Sequence, residues 1–151
     1  MKLLSGMLAA ALSLAGVGAS HAVVRITHDR GGLIDSYIDD YEELGTSGQS
    51  VIIDGLCASA CTIVLAAIPR DRICVTANAN LAFHGAWNFG NKGRAIPNLE
   101  VTRMLFAMYP MQVRHWIAHH GGLTPRTIFL RGKELHSMHR PCYVRAEAWP
   151  R

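Results

Sequence analysis

The chain has 151 residues, 50% of them apolar and 17% charged, and a formal net charge of +4. That is enough apolar material for one packed domain and too little length for two. Its basic residues are scattered, as in Arg70 and Arg72, Lys92 and Arg94, and Arg131 and Lys133, and no aromatic residues interleave with them. This excludes the stacking groove of a single-strand nucleic-acid binder.

Taken in chain order, the N-terminus reads as a secretory leader: Lys2 supplies a positive start, Leu3 to Gly18 an apolar stretch, and Ser20-His21-Ala22 small residues at a cleavage site. The expectation is export to the periplasm or beyond, cleavage after Ala22, no membrane association afterwards, and one α/β domain over residues 23–151. A first strand, Val23 to Thr27, runs into Asp29-Arg30-Gly31-Gly32. Leu33, Ile34, Tyr37, Ile38, Tyr41 and Leu44 recur at helical spacing, with Asp35, Asp39, Asp40, Glu42 and Glu43 on the wet side and Gly45 as the stop. The acidic run is therefore a solvated face rather than a pair of catalytic carboxylates. A turn over Gly45 to Gly48 returns the chain to a buried strand, Ser50 to Ile53, completing a parallel strand-helix-strand unit.

Gly55 is expected to give that strand a tight exit, and Thr62 to Ala67, bounded by Pro69, to form a buried helix. Strands follow at Arg72 to Thr76 and Leu81 to His84. Trp87 to Pro97 reads as a polar, glycine-rich loop that could line a substrate. Asn98 caps a helix striped with Val101, Met104, Leu105 and Met108, and Pro110 opens a second through Val113, Trp116 and Ile117, closed by Gly121-Gly122.

The chemistry concentrates in two residues, Ser59 and His84, 25 positions apart. A serine hydroxyl attacks carbonyls only when an imidazole takes its proton and N–H groups hold the oxyanion. Ser59 falls at a strand-to-helix junction, where unpaired amides favour negative charge. His115 and His119 lie one helical turn apart without a third ligand, so no metal site is expected, and no cofactor. Four cysteines in an exported chain allow three pairings. The separation of Cys57 and Cys61 suits a bridge across the Ser59 loop, which would leave Cys74 and Cys142 to each other or free.

Gly55-x-x-x-Ser59-Ala60 followed by the apolar-His84-Gly85 segment resembles the proteolytic subunit of Clp protease. The Cys57-x-Ser59-Ala60-Cys61 form is similar to predicted periplasmic Clp-protease-like proteins. The resemblance implies an α/β fold of the ClpP/crotonase type, a spiral of βαβ units shortened at the N-terminus, where this chain has a leader in place of a first strand and helix. It implies Ser59 as nucleophile, His84 as base, and the backbone N–H groups of Gly32 and Ala60 as the oxyanion hole. The family's triad aspartate has no counterpart between Thr124 and His139, where Glu134 is the one carboxylate. The function so implied is an exported serine hydrolase, peptidase-like, that acts on a peptide or protein substrate by acyl transfer and self-associates. The alternative is a catalytically inactive binding or assembly module on the same scaffold.

Overall fold

The computed structural model describes residues 22–143, so the leader read over Leu3 to Gly18 and the tail from residue 144 lie outside it. The molecule is mixed α/β. Strand β1 (Val23–Asp29) leads through the Gly31-Gly32 turn into helix α1 (Ile34–Thr46), then strand β2 (Ser50–Ala58). A 3-10 turn, Ser59–Ile63, and short helix α2 (Val64–Ala67) precede β3 (Ile73–Val75) and β4 (Asn80–Phe83). After them come β5 (Trp87–Phe89), β6 (Ala95–Pro97), α3 (Leu99–Met108), α4 (Met111–His119), β7 (Ile128–Arg131) and α5 (Gly132–Met138).

Apolar residues place β2 at the centre: the β-branched Val51 and Ile53, and Cys57, are fully buried. β1 runs parallel to it on one side. On the other side β2 meets two strands in succession, β3 along its first half (Val51 opposite Ile73, Ile53 opposite Val75) and β4 along its second (Leu56 opposite Asn80, Ala58 opposite Ala82), both parallel. The carboxyl ends of β1, β2 and β4 therefore share one edge of the sheet, where ligands of open α/β sheets collect. β7 adds antiparallel to β4.

Two glycines act otherwise than their sequence context suggests. β2 does not exit at Gly55 but continues to Ala58. A Cβ on Gly55 would stand 1.9 Å from the Thr27 carbonyl oxygen, beside a register shift between Ile26 and His28, so glycine here admits the close approach of β1. Gly45 lies inside α1 rather than after it. A Cβ there would come 3.1 Å from the Ala67 carbonyl oxygen, which marks where α1 packs on α2, and the reversal falls to Gly48 at φ 76°.

The segment read as a loop over Trp87 to Pro97 is a hairpin of β5 and β6, with Trp87 opposite Pro97 and Phe89 opposite Ala95. Positive φ at Lys92 and Gly93, together with the Gly90 N–H bond to the Arg94 carbonyl, closes the reversal. Likewise the helix expected over Thr62 to Ala67 is a 3-10 turn from Ser59 that becomes α-helical only at Val64. β7 had no sequence counterpart: its alternation of buried Ile128 and Leu130 with exposed Phe129 and Arg131 spans only four residues.

Beneath the sheet, Phe83 meets Tyr109 and Trp116 at centroid separations of 5.4 and 5.9 Å. Both disulfides form: Cys57 with Cys61, and Cys74 with Cys142. The second fastens the end of the described chain to β3, where Val75 also bonds Arg140 and Cys142 through the backbone. No helix among the described residues is long and apolar enough to cross a membrane.

Candidate active site

Ser59 leaves β2 at φ 57°, in the left-handed region that a residue bearing a Cβ seldom occupies. Holding it there costs on the order of 1–3 kcal/mol, which surrounding contacts must offset. Four such contacts converge. The Cys57–Cys61 bridge closes the turn around Ser59, with a Cα separation of 5.3 Å. The Thr62 hydroxyl donates to the Ser59 carbonyl at 2.7 Å, so the buried Tyr109 hydroxyl, 2.6 Å away, must donate to Thr62. Burial pushes Tyr109 up to about 12, which keeps that donor protonated. Tyr41 donates to Cys61 Sγ at 3.6 Å from the α1 side.

The fourth contact comes from the glycine turn. Gly31, at φ 78°, lies so close that a Cβ on it would stand 2.6 Å from the Ala58 carbonyl oxygen, 2.7 Å from Ser59 Cβ and 2.8 Å from the Ala60 nitrogen. The glycine packed on the serine turn is thus Gly31. Its N–H is bound to Asp29 Oδ1 at 2.8 Å, and the same oxygen accepts the Tyr37 hydroxyl at 2.6 Å. Asp29 occupies the Gly31 amide and leaves the next one, Gly32, in no hydrogen bond among the described residues.

His84 follows the last residue of β4. Because Ala58 stands opposite Ala82, Ser59 and His84 extend from neighbouring parallel strands at the same end of the sheet. Both are half-buried. The imidazole is held on two sides. His84 Nδ1 lies 2.8 Å from the Gly85 carbonyl oxygen, which can only accept, so the proton is on Nδ1 and the lone pair on Nε2. The ring stacks on Trp87, centroids 4.5 Å apart and planes 21° from parallel. An indole face in that position attracts an imidazolium.

The backbone behind His84 is pinned residue by residue. Gly85 N–H bonds the Thr124 carbonyl at 2.7 Å, Ala86 N–H the Thr102 hydroxyl at 2.9 Å, and the Ala86 carbonyl accepts from Asn98 N–H at 2.8 Å. A cavity of about 240 Å³ opens next to Gly85, walled by Ala86, Trp87, Pro97, Leu99, Leu123 and Pro125. Its Thr102 hydroxyl is already engaged with Ala86 and Asn98, so the wall is apolar in effect.

Not everything expected at the site meets there. No hydrogen bond joins Ser59 to His84 among the described residues. Glu134, near the start of α5, lies 3.8 Å from His120 Nε2 and makes no bond to His84, so the carboxylate faces a different imidazole. His120 is itself stacked on Trp116 at 4.1 Å. His115 and His119 belong to no group of three metal-ligating side chains among the described residues.

Several positioning residues escaped the sequence reading. Asp29 could have been found, since an aspartate two residues before a glycine commonly bonds that amide. Thr62 carries a weaker signal, a hydroxyl three residues past the serine. Tyr109 carries none, being 47 residues from the threonine it meets.

No protein-family model matches the chain, and no curated protein does. Among solved structures, a mutant ClpP1 from Listeria monocytogenes is similar at a TM-score of 0.44 and 17% identity, over 79% of this chain and 71% of that one.

Proposed function

We propose that this protein is an exported serine hydrolase of the Clp-protease-like type, peptidase-like in its chemistry, with Ser59 as nucleophile and His84 as base. The observation that carries the reading is the backbone of Ser59. A non-glycine residue at φ 57°, at the carboxyl end of a central parallel strand and braced from four directions, is the kind of conformation that functional sites retain at a cost in stability. The signature of residues 55–61 and 81–85 supports the same assignment.

In this mechanism Ser59 Oγ attacks the substrate carbonyl carbon and its proton passes to His84 Nε2. The Gly32 and Ala60 amides hold the oxyanion. Collapse expels the leaving amine, which takes the proton back from the imidazolium, and water then releases the acyl group by the same route. The Gly85 carbonyl sets the imidazole tautomer, one of the two tasks of a triad carboxylate. Stabilising the imidazolium falls to that dipole and to the Trp87 face, so the rate should lie below that of a full triad. The apolar cavity beside Gly85 suits an uncharged substrate side chain. Acyl transfer of this kind needs neither cofactor nor metal.

The cellular setting belongs to the same proposal: leader cleavage after Ala22, a single domain over 23–151, and a periplasmic or secreted location, with which two disulfides agree. The exposed apolar side chains of the hairpin and α3, Trp87, Phe89, Ile96, Leu99 and Met104, give self-association a surface.

A catalytically silent binding module is the second reading, and the missing Ser59–His84 hydrogen bond is the observation in its favour. Labelling with a fluorophosphonate separates the two. The hydrolase reading expects covalent modification at Ser59, lost in Ser59→Ala and strongly slowed in His84→Ala. Folded, oxidised protein that stays unlabelled at neutral pH would establish the silent module instead.

A further inference from the structure

A second cavity, of about 320 Å³, shares no residue with the Ser59 and His84 end of the sheet. It opens between the carboxyl end of α2 and the start of α4. Leu65, Ile68 and Val113 form its apolar side; Arg70, Gln112 and His139 form its polar side, and no aspartate or glutamate lines it.

Three independent features of the polar side favour negative charge. Arg70 brings a permanent cation. Helix α4 begins at Met111 after Pro110 with no side-chain cap, and its first intrahelical bond comes from Arg114, so the amides of Met111, Gln112 and Val113 have no intrahelical acceptor. His139 is only 4% exposed, yet its Nδ1 has no hydrogen-bond partner. Burying an imidazole nitrogen unpaired is costly, because it gives up its bond to water and gains none in return. A ligand oxygen bonded to it would remove that cost.

We propose that this cavity binds a small carboxylate with an apolar body, its oxygens held by Arg70, His139 and the first turn of α4, its hydrocarbon against Leu65, Ile68 and Val113. The volume falls in the lower range of small-molecule pockets, where one apolar wall and a few convergent polar groups fix a ligand's orientation. Burial and the neighbouring guanidinium push His139 down to about 4. At neutral pH the imidazole is therefore uncharged and would meet the carboxylate as an Nδ1–H donor, while Arg70 supplies the charge.

The test uses the purified protein with both disulfides intact, titrated with hexanoate, with hexanol as the body without the charge, and with inorganic phosphate as the charge without the body. Amide and imidazole NMR signals report the site directly and require no enzymatic activity. The expected result is saturable, millimolar or tighter hexanoate binding with shifts at Gln112, Val113 and His139, weakened about tenfold or more in Arg70→Met. His139→Gln, which keeps a polar group, should weaken it less than His139→Leu. Binding of hexanol as tight as that of hexanoate, phosphate matching hexanoate, or an Arg70→Met protein that binds unchanged would each overturn the assignment. So would the absence of shifts at these three residues up to about 50 mM ligand, well above the affinity expected.

Discussion

Replacing Cys57 and Cys61 together by alanine tests whether the bridge holds the serine in its strained conformation. The bridge closes a loop of sequence separation 4. For a ring that small the chain-entropy model gives about 2 kcal/mol. This falls within the roughly 1–3 kcal/mol needed to keep a non-glycine residue at positive φ. With the bridge gone, the Thr62 hydroxyl and the Gly31 contact remain, so the turn should persist as a minor or partly populated state. A loss of 2 kcal/mol corresponds to about a thirtyfold drop in that population. Fluorophosphonate labelling of Ser59 should slow by about 10- to 30-fold, while urea melts show the double variant about 2 kcal/mol less stable. Labelling at the wild-type rate, with the stability loss present, would refute the claim that the bridge positions Ser59 and leave it an ordinary staple.

Gly31→Ala should be far more damaging than Gly48→Ala: both have positive φ, but only the Gly31 Cβ would stand within 2.8 Å of three atoms of the serine turn, whereas Gly48 faces open space. Denaturant melts are expected to show about 1 kcal/mol lost for Gly48→Ala and more than about 3 kcal/mol for Gly31→Ala. Tyr109→Phe removes the donor to the Thr62 hydroxyl inside the core and should cost about 1–2 kcal/mol in urea unfolding. If the relay also steadies Ser59, its labelling slows several-fold. Stability should fall with pH through His139. The folded chain holds that imidazole at about 4, below its ordinary value near 6.5, so the unfolded chain binds the extra proton between these values. The contribution is complete above about pH 6.5 and lost toward pH 4, by roughly 3 kcal/mol, and thermal melts of His139→Gln should lack that share of the slope.

What could be read from the sequence was mostly local. The apolar periodicity of α1, the parallel return into β2, and the cap of α3, where Asn98 accepts from Val101 N–H at 3.1 Å, all follow from residues within a few positions of one another. The placement of Ser59 at the end of a strand was legible for the same reason, and so was the bridge across it. Tertiary packing decided the rest. Which glycine lies against the serine, Gly31 and not Gly32, depends on how closely β1 and β2 approach, and only the Asp29 side chain settles which amide is left over. The pairing of Cys74 with Cys142, 68 residues apart, the reach of Tyr109 to Thr62, and the capture of Glu134 by His120 carry no spacing signal. Local pattern specifies which residues form an element and which face is wet. The partner a side chain meets across the core is set by the stacking of elements already formed, and that information is spread over the whole chain.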